Sequence, residues 1–222
     1  MKKFSTEEQA TLLGSRVSVV GLGGLGGTVT EILARAGIGI LNLIDGDRFE
    51  ENNLNRQLLS TPKLLLKSKA QAAIDRIHEI NSSIVVNKHH EYLDGENAIG
   101  LLEKSNVIVD CLDNVKTRFV LEGASKKIQC PLVSAAVAGV LGHVTTIFPD
   151  DRGFSLIYGE PDSVESKGAE ASLGCLPYAV TLLASVECSE VIKILLKKGS
   201  VLRNQLLIVD LMDNVFDIVQ LT

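Results

Sequence analysis

Residues 16–47 read RVSVVGLGGLGGTVTEILARAGIGILNLIDGD: an apolar strand, a glycine turn, an amphipathic helix and a second apolar strand that ends in the carboxylates Asp45 and Asp47. Val17 to Val20 run into Gly21, Gly23 and Gly26, the G-x-G-x-x-G spacing that turns a strand sharply into a helix and lets backbone approach a phosphate. A helix opening near Gly24 aims unpaired amides and the positive end of its dipole at that place, so negative charge is stabilised without a basic side chain. Asp45 follows about twenty residues after the turn, where a carboxylate can accept from ribose hydroxyls. Alone, this unit suggests a dinucleotide-binding NAD(P)-dependent oxidoreductase.

Working outward, the pattern repeats. Arg48 to Thr61 is polar and aperiodic, a loop of functional character. Pro62 is expected to open a helix whose apolar stripe is Leu66, Ala70, Ala73, Ile74 and Ile77, stopped at Asn81. Ile84–Tyr92 reads as a strand, Glu96–Lys104 as a short helix, Val107–Cys111 as a buried strand, Val115–Ile128 as a helix and Pro131–Val137 as a strand. Beyond it, His143–Phe148, Leu206–Leu211 and Val215–Leu221 read as strands, with Asp213-Asn214 as the turn of an antiparallel hairpin. Leu176–Leu196 is a long apolar helix ended by Lys197, Lys198 and Gly199. The fold class expected is α/β: a Rossmann-like, doubly wound sheet, parallel in its first half and antiparallel at its carboxyl end, with helices on both faces.

The chain has 222 residues, of which 45% are hydrophobic and 4% aromatic, enough for one large domain with a Val/Ile/Leu-rich sheet. Residues 1–14 form an N-terminal segment and residues 149–172, long and polar, a flexible crossover loop over the site. A formal net charge of −5 and pI near 5.4 disfavour nucleic acid and anionic membranes as partners. Met1–Ser15 lacks a secretory apolar stretch and no window reaches a membrane span, so a cytoplasmic protein is expected. Cys111, Cys130, Cys175 and Cys188 stand singly, without a C-x-x-C pair, so no zinc site and no disulfide scaffold are expected. His89 and His90 are read as filler on opposite faces of one strand.

Three further features stand beside the glycine turn: Asn53-Leu54-Asn55-Arg56-Gln57, then Lys69 on the next helix, then Asp110-Cys111-Leu112-Asp113-Asn114 with Arg118 following. In an open parallel sheet, loops at the carboxyl ends of adjacent strands share one crevice, so Asp45, Arg56 and Asp113 are expected to meet. Cations for phosphates and a spare carboxylate for Mg²⁺ suit ATP better than a dinucleotide.

GLGGLG, DGD, NLNRQ, a helix lysine and DCLDN, in that order, resemble the ThiF/MoeB/HesA family, bacterial relatives of ubiquitin-activating enzymes, over nearly the whole chain. The resemblance implies a ThiF-type domain that uses ATP and Mg²⁺ to adenylate the C-terminal Gly-Gly tail of a small ubiquitin-like sulfur-carrier protein, releasing pyrophosphate, as a homodimer. By position it implies Asp45 on the ribose, Asn53, Arg56 and Gln57 on the phosphates, Lys69 neutralising them and Asp113 on Mg²⁺; Gly21, Gly23, Gly24, Gly26, Asp47 and Asn114 complete the nucleotide set, with Arg56, Lys69 and Asp113 the catalytic ones. Asn114 also suits an N-cap. Relatives often carry an Arg-rich opening segment, where this chain offers Lys2 and Lys3, and some use a crossover-loop cysteine, where this chain has Lys167-Gly168-Ala169-Glu170. The nearest thiol, Cys175, is either reactive at a helix N-terminus or a small buried residue; the other three cysteines are read as core. A non-catalytic partner subunit is the alternative from another class, opposed by the retained polar set. Adenylation of a tRNA-bound carboxylate is disfavoured by the acidic charge.

Overall fold

Valine, isoleucine and leucine dominate the central strands because both faces of a parallel sheet are covered by helices. The computed structural model describes residues 5–163 and 173–221. Its strands are β1 (Arg16–Val20), β2 (Ile40–Ile44), β3 (Val85–His89), β4 (Val107–Asp110), β5 (Leu132–Ala138), β6 (Leu141–Ile147), β7 (Gln205–Asp210) and β8 (Val215–Gln220). They form one sheet in the order β3-β2-β1-β4-β5-β6-β7-β8. β3 through β5 pair in parallel and β5 through β8 antiparallel, the sheet expected from the sequence. The order reverses between β1 and β4, the switch point at which such sheets open a crevice.

The helices are α1 (Thr6–Gly14), α2 (Gly24–Ala36), α3 (Lys69–Ile80), α4 (Ala98–Leu102), α5 (Val115–Lys127), α6 (Ser155–Tyr158) and α7 (Pro177–Leu196). One core joins α2, α3 and α7 to the sheet through Val29, Leu33, Ala73, Ile77, Leu183 and Val191. A second joins α4 and α5 to the opposite face through Leu102, Ile108, Leu121 and Phe154. Within α7, Glu190 is fully buried and accepts from Thr146 Oγ1 and Leu202 N, each at 2.7 Å. That bond ties the helix to β6 and to the segment before β7.

The structure differs from the sequence reading in four places. Residues 6–14 form a helix, started by a reciprocal Ser5–Glu8 capping box, and Leu12 is fully buried. Pro62–Leu64 is a separate 3₁₀ turn, and α3 begins only at Lys69 behind the cap Ser68. Leu66 is not on the α3 stripe: it has φ +65° and is 74% exposed, because its amide bonds the Phe49 carbonyl at 2.9 Å and turns the chain out of helical geometry. His90 lies beyond β3, its Nδ1 3.2 Å from both Ser68 Oγ and the Asp45 carbonyl, so the two histidines are not alternating strand residues. Of the crossover loop, residues 149–163 hold α6 and a short 3₁₀ turn. Residues 164–172, including Lys167–Glu170, lie outside the described residues, as do Lys2 and Lys3.

Candidate functional site

The glycine turn is shaped by what surrounds it. Gly21 has φ +87°, a conformation that glycine adopts without strain. At Gly26 a Cβ would sit 1.8 Å from the Gly21 carbonyl oxygen, so the first turn of α2 closes directly on the strand end. The turn is clamped from the neighbouring strand: Asp45 Oδ2 accepts from Leu22 N and Oδ1 from Asp47 N, both at 2.6 Å. Burial raises the Asp45 pKa against the pull of Lys69 and these two amides. Each oxygen keeps a further lone pair for a ligand hydroxyl. The first-turn amides of α2 have no intrahelical acceptor and point at the same place.

Around this turn lies a cleft of about 550 Å³. Its walls include Gly21, Gly23, Gly24, Asp45, Asp47, Arg56, Gln57, Lys69, Asp113 and Asn114. Lys69 reaches it because Arg48 bridges Ser68 and Lys69 N bonds the Asp47 carbonyl at 3.1 Å. The Lys69 ammonium is buried and meets Asp47 Oδ2 at 3.0 Å. Burial works to raise the Asp47 carboxyl, but the Tyr92 hydroxyl at 2.6 Å and Lys69 outweigh it and hold the pKa below its ordinary value. The Arg56 Nη1 donates to the Asn52 carbonyl and to Asn55 Oδ1, which steadies a half-buried guanidinium at the cleft wall. Gln57 is 6% exposed and its Oε1 has no partner among the described residues, an unsatisfied buried acceptor of the kind a polar ligand completes. Asn114 caps α5 through Thr117 N at 3.0 Å. Asp113 beside it is exposed and makes no hydrogen bond or ion pair among the described residues.

Two members of the expected set stand elsewhere. Asn53 is buried under its own loop, with Oδ1 taken by Glu50 N and Nδ2 by Asn52, because an Asn at that point of a short 3₁₀ turn caps it locally. The structure therefore does not bring it to the cleft with Arg56 and Gln57. Gly26 lies beneath the turn and serves close packing instead of lining the wall. Sequence reasoning left Tyr92 unassigned: its ring packs over Gly46, where a Cβ would come within 2.9 Å of it. It also left out Ser134 and Glu187, buried under the floor. Glu187 stands out in the sequence as one of two acids in the apolar helix α7. Burial raises the pKa of Glu187 well above normal, as it does for the core thiols Cys111 and Cys188.

The cleft is also lined by Ala136, Val137, Gly174 and Cys175, whose side chains are small. Cys175 precedes the Leu176 N-cap of α7 and its Sγ faces the Val137 carbonyl at 3.4 Å. Cys111, Cys130 and Cys188 are buried, as read. Among the described residues no group of three or more His, Cys, Asp or Glu could hold a metal, and no helix is long and apolar enough to cross a membrane.

Sheet order, glycine turn and cleft together define a Rossmann-like α/β protein with its site at the strand switch point. Comparison with known proteins narrows the class. The chain belongs to the ThiF family, whose model matches residues 1–222. It is 33% identical over 222 residues to the SAMP-activating enzyme E1 of Haloferax volcanii, covering 99% of this chain and 81% of that one. It is 33% identical over 212 residues to the adenylyltransferase and sulfurtransferase MOCS3 of Culex quinquefasciatus, covering 95% of this chain and 48% of the relative. The chain thus spans about half the length of the MOCS3 relatives. Among solved structures, E. coli MccB with ATP aligns with a TM-score of 0.83 at 20% identity, over 96% of this chain and 66% of that one. PaaA aligns at 0.81 with 24% identity over the same shares. These likenesses carry the fold.

Proposed function

We propose that this chain adenylates the C-terminal Gly-Gly carboxylate of a small ubiquitin-like sulfur-carrier protein, consuming ATP and releasing pyrophosphate. The observation that carries the reading is the gathering of Arg56, Lys69 and the exposed Asp113 around one glycine turn, in a chain whose relatives are named adenylyltransferases and an activating enzyme. The α2 amides, Arg56 and Lys69 bind and orient the phosphates, Asp45 takes the ribose, and Gln57 completes its orphaned amide on the nucleotide. The attacking carboxylate has a solution pKa near ~3.5 and is ionised at neutral pH, so no general base is needed. Catalysis is then positioning plus charge stabilisation at the α-phosphate. The donor set fits magnesium: an exposed, uncommitted carboxylate beside a phosphate cradle is the usual protein share of such a site. Asp113 would hold the ion, which when bound supplies positive charge against the phosphates. The small-residue wall at Ala136 and Gly174 receives the glycine tail.

A homodimer and the absence of structural zinc belong to the same reading, as does a carrier of the thiamine or molybdopterin type. The test is ATP–pyrophosphate exchange with purified carriers ending in Gly-Gly. Exchange that depends on the carrier tail and is lost in Asp113→Ala supports the proposal; absence of exchange with every carrier tried, or exchange that survives Asp113→Ala and Arg56→Ala, overturns it. Elemental analysis checks the metal, and a stoichiometric zinc refutes that part.

A further inference from the structure

Behind Asp113 the chain is held by a buried group whose centre, Arg118, shows only an edge to the cleft. Arg118 is 4% exposed, Asp110 0% and Ser134 1%. Arg118 Nη1 pairs with Asp110 Oδ2 at 3.0 Å and donates to Ser134 Oγ at 3.0 Å. Nη2 donates to the carbonyls of Leu112 and, at 2.9 Å, Ala135. Ser134 Oγ donates to Asp110 Oδ2 at 2.6 Å, and Leu112 N donates to Asp110 Oδ1 at 3.0 Å. Both terminal nitrogens of the guanidinium are thereby committed to protein acceptors, which leaves little for a substrate anion.

The placement of those acceptors is what matters. Leu112 is gripped by its amide through Asp110 and by its carbonyl through Arg118, while Asn114 is fixed as the cap of α5. Asp113 is the one residue between them, so its exposed carboxylate stands on a backbone pinned at both sides. The same guanidinium holds Ala135, next to the cleft-lining residues Ala136 and Val137. Only a planar fork reaches a carboxylate, a hydroxyl and two carbonyls at once; an ammonium is a point charge with a different reach.

We propose that Arg118 is the positioning residue for Asp113: its terminal nitrogens being committed to protein acceptors, it acts by riveting the 110–114 turn to β5, and so sets the magnesium-dependent part of nucleotide binding through that turn. This rests on the reading of Asp113 as the magnesium carboxylate. Ser134 is the secondary member of the device, since its hydroxyl bridges the acid and the guanidinium.

The test uses the full chain, Arg118→Lys and Ser134→Ala, with two measurements. Amide hydrogen exchange of the free protein reads the turn itself. Binding of α,β-methylene ATP, in EDTA and across a magnesium titration, reads its consequence. In Arg118→Lys the Leu112 amide exchanges about tenfold faster or more while β1 amides are unchanged, and the magnesium needed for half-maximal tightening rises about tenfold. Metal-free affinity stays within about threefold of wild type. Ser134→Ala, the milder change and the decisive one should the lysine variant not fold, moves both readouts in the same direction by about threefold. Unchanged exchange at Leu112, or metal-free affinity that falls as far as the metal-dependent part, overturns the inference. Wild-type binding that ignores magnesium overturns the Asp113 reading and the inference with it. Failure of the inference alone is recognised by wild type and Arg118→Lys depending on magnesium equally.

Discussion

Two acid–base pairs flank the cleft and differ in how far water reaches them. Asp47 and Lys69 meet at 3.0 Å with side chains 48% and 8% exposed, whereas Asp110 and Arg118 meet at 3.0 Å with side chains 0% and 5% exposed. At the rim, water reaches Asp47 although Lys69 is buried, so Asp47 stays solvated when, in the proposed function, the ammonium turns to a phosphate. Under the floor, an unpaired charge has nowhere to be solvated, and the pair is locked by its own desolvation. The comparison separates a cation held in readiness from a cation held for good. Similar chemistry, moved inward across the sheet, changes from ligand to framework.

That contrast can be broken by substitution. The largest effect is expected from Arg118→Met, which strands Asp110 in the core and lowers unfolding free energy by about 3–5 kcal/mol, read by urea denaturation. Lys69→Met does the reverse: stability moves by less than about 1 kcal/mol, while ATP–pyrophosphate exchange falls about 10²–10³-fold. If the two variants lose stability equally, the division fails. Strand β6 also contains a pH-dependent element. His143 Nε2 lies 3.2 Å from Tyr158 Oη, and burial, aided by Arg118, pushes its pKa down to about 4 from 6.5. A folded-state value below the unfolded one means that the neutral ring is favoured in the native protein. Stability is therefore fully present above pH 6.5 and is lost progressively as pH falls toward 4, by on the order of 3 kcal/mol; His143→Gln flattens the profile. The smallest change is expected at Tyr92→Phe, which removes one donor from Asp47, costs less than about 1 kcal/mol and lets the Asp47 carboxyl titrate at higher pH, measurable by NMR.

What could be read in advance follows physical range. The β-α repeats were legible because strand and helix periods are local, and the meeting of Asp45, Arg56, Lys69 and Asp113 was legible because a parallel sheet sends its carboxyl-end loops to one edge. The helix at Thr6–Gly14 carries its signal in Ser5 and Glu8, a capping box ahead of a segment with little apolar periodicity. Leu66 could not be placed from its neighbours, since the Phe49 carbonyl that turns it lies 17 positions away. Asn53 shows the opposite failure: a motif position implied a ligand contact, and a local cap claimed the side chain. Ser134 was silent and Glu187, though conspicuous as an acid in an apolar helix, had no legible role, because a buried polar group is defined by partners from distant segments, Asp110 for the first and Cys111 for the second.

The three motif glycines will not tolerate variation alike. A side chain at position 26 would strike a backbone oxygen at 1.8 Å and one at position 21 the Cys111 carbonyl at 2.7 Å, but at position 23 the nearest atom is the tip of Gln57, 3.6 Å away, and φ there is −73°. Saturation mutagenesis selected only for folding should return glycine at 21 and 26 and admit alanine at 23, leaving the middle of the motif answerable to the ligand and the two ends to the backbone.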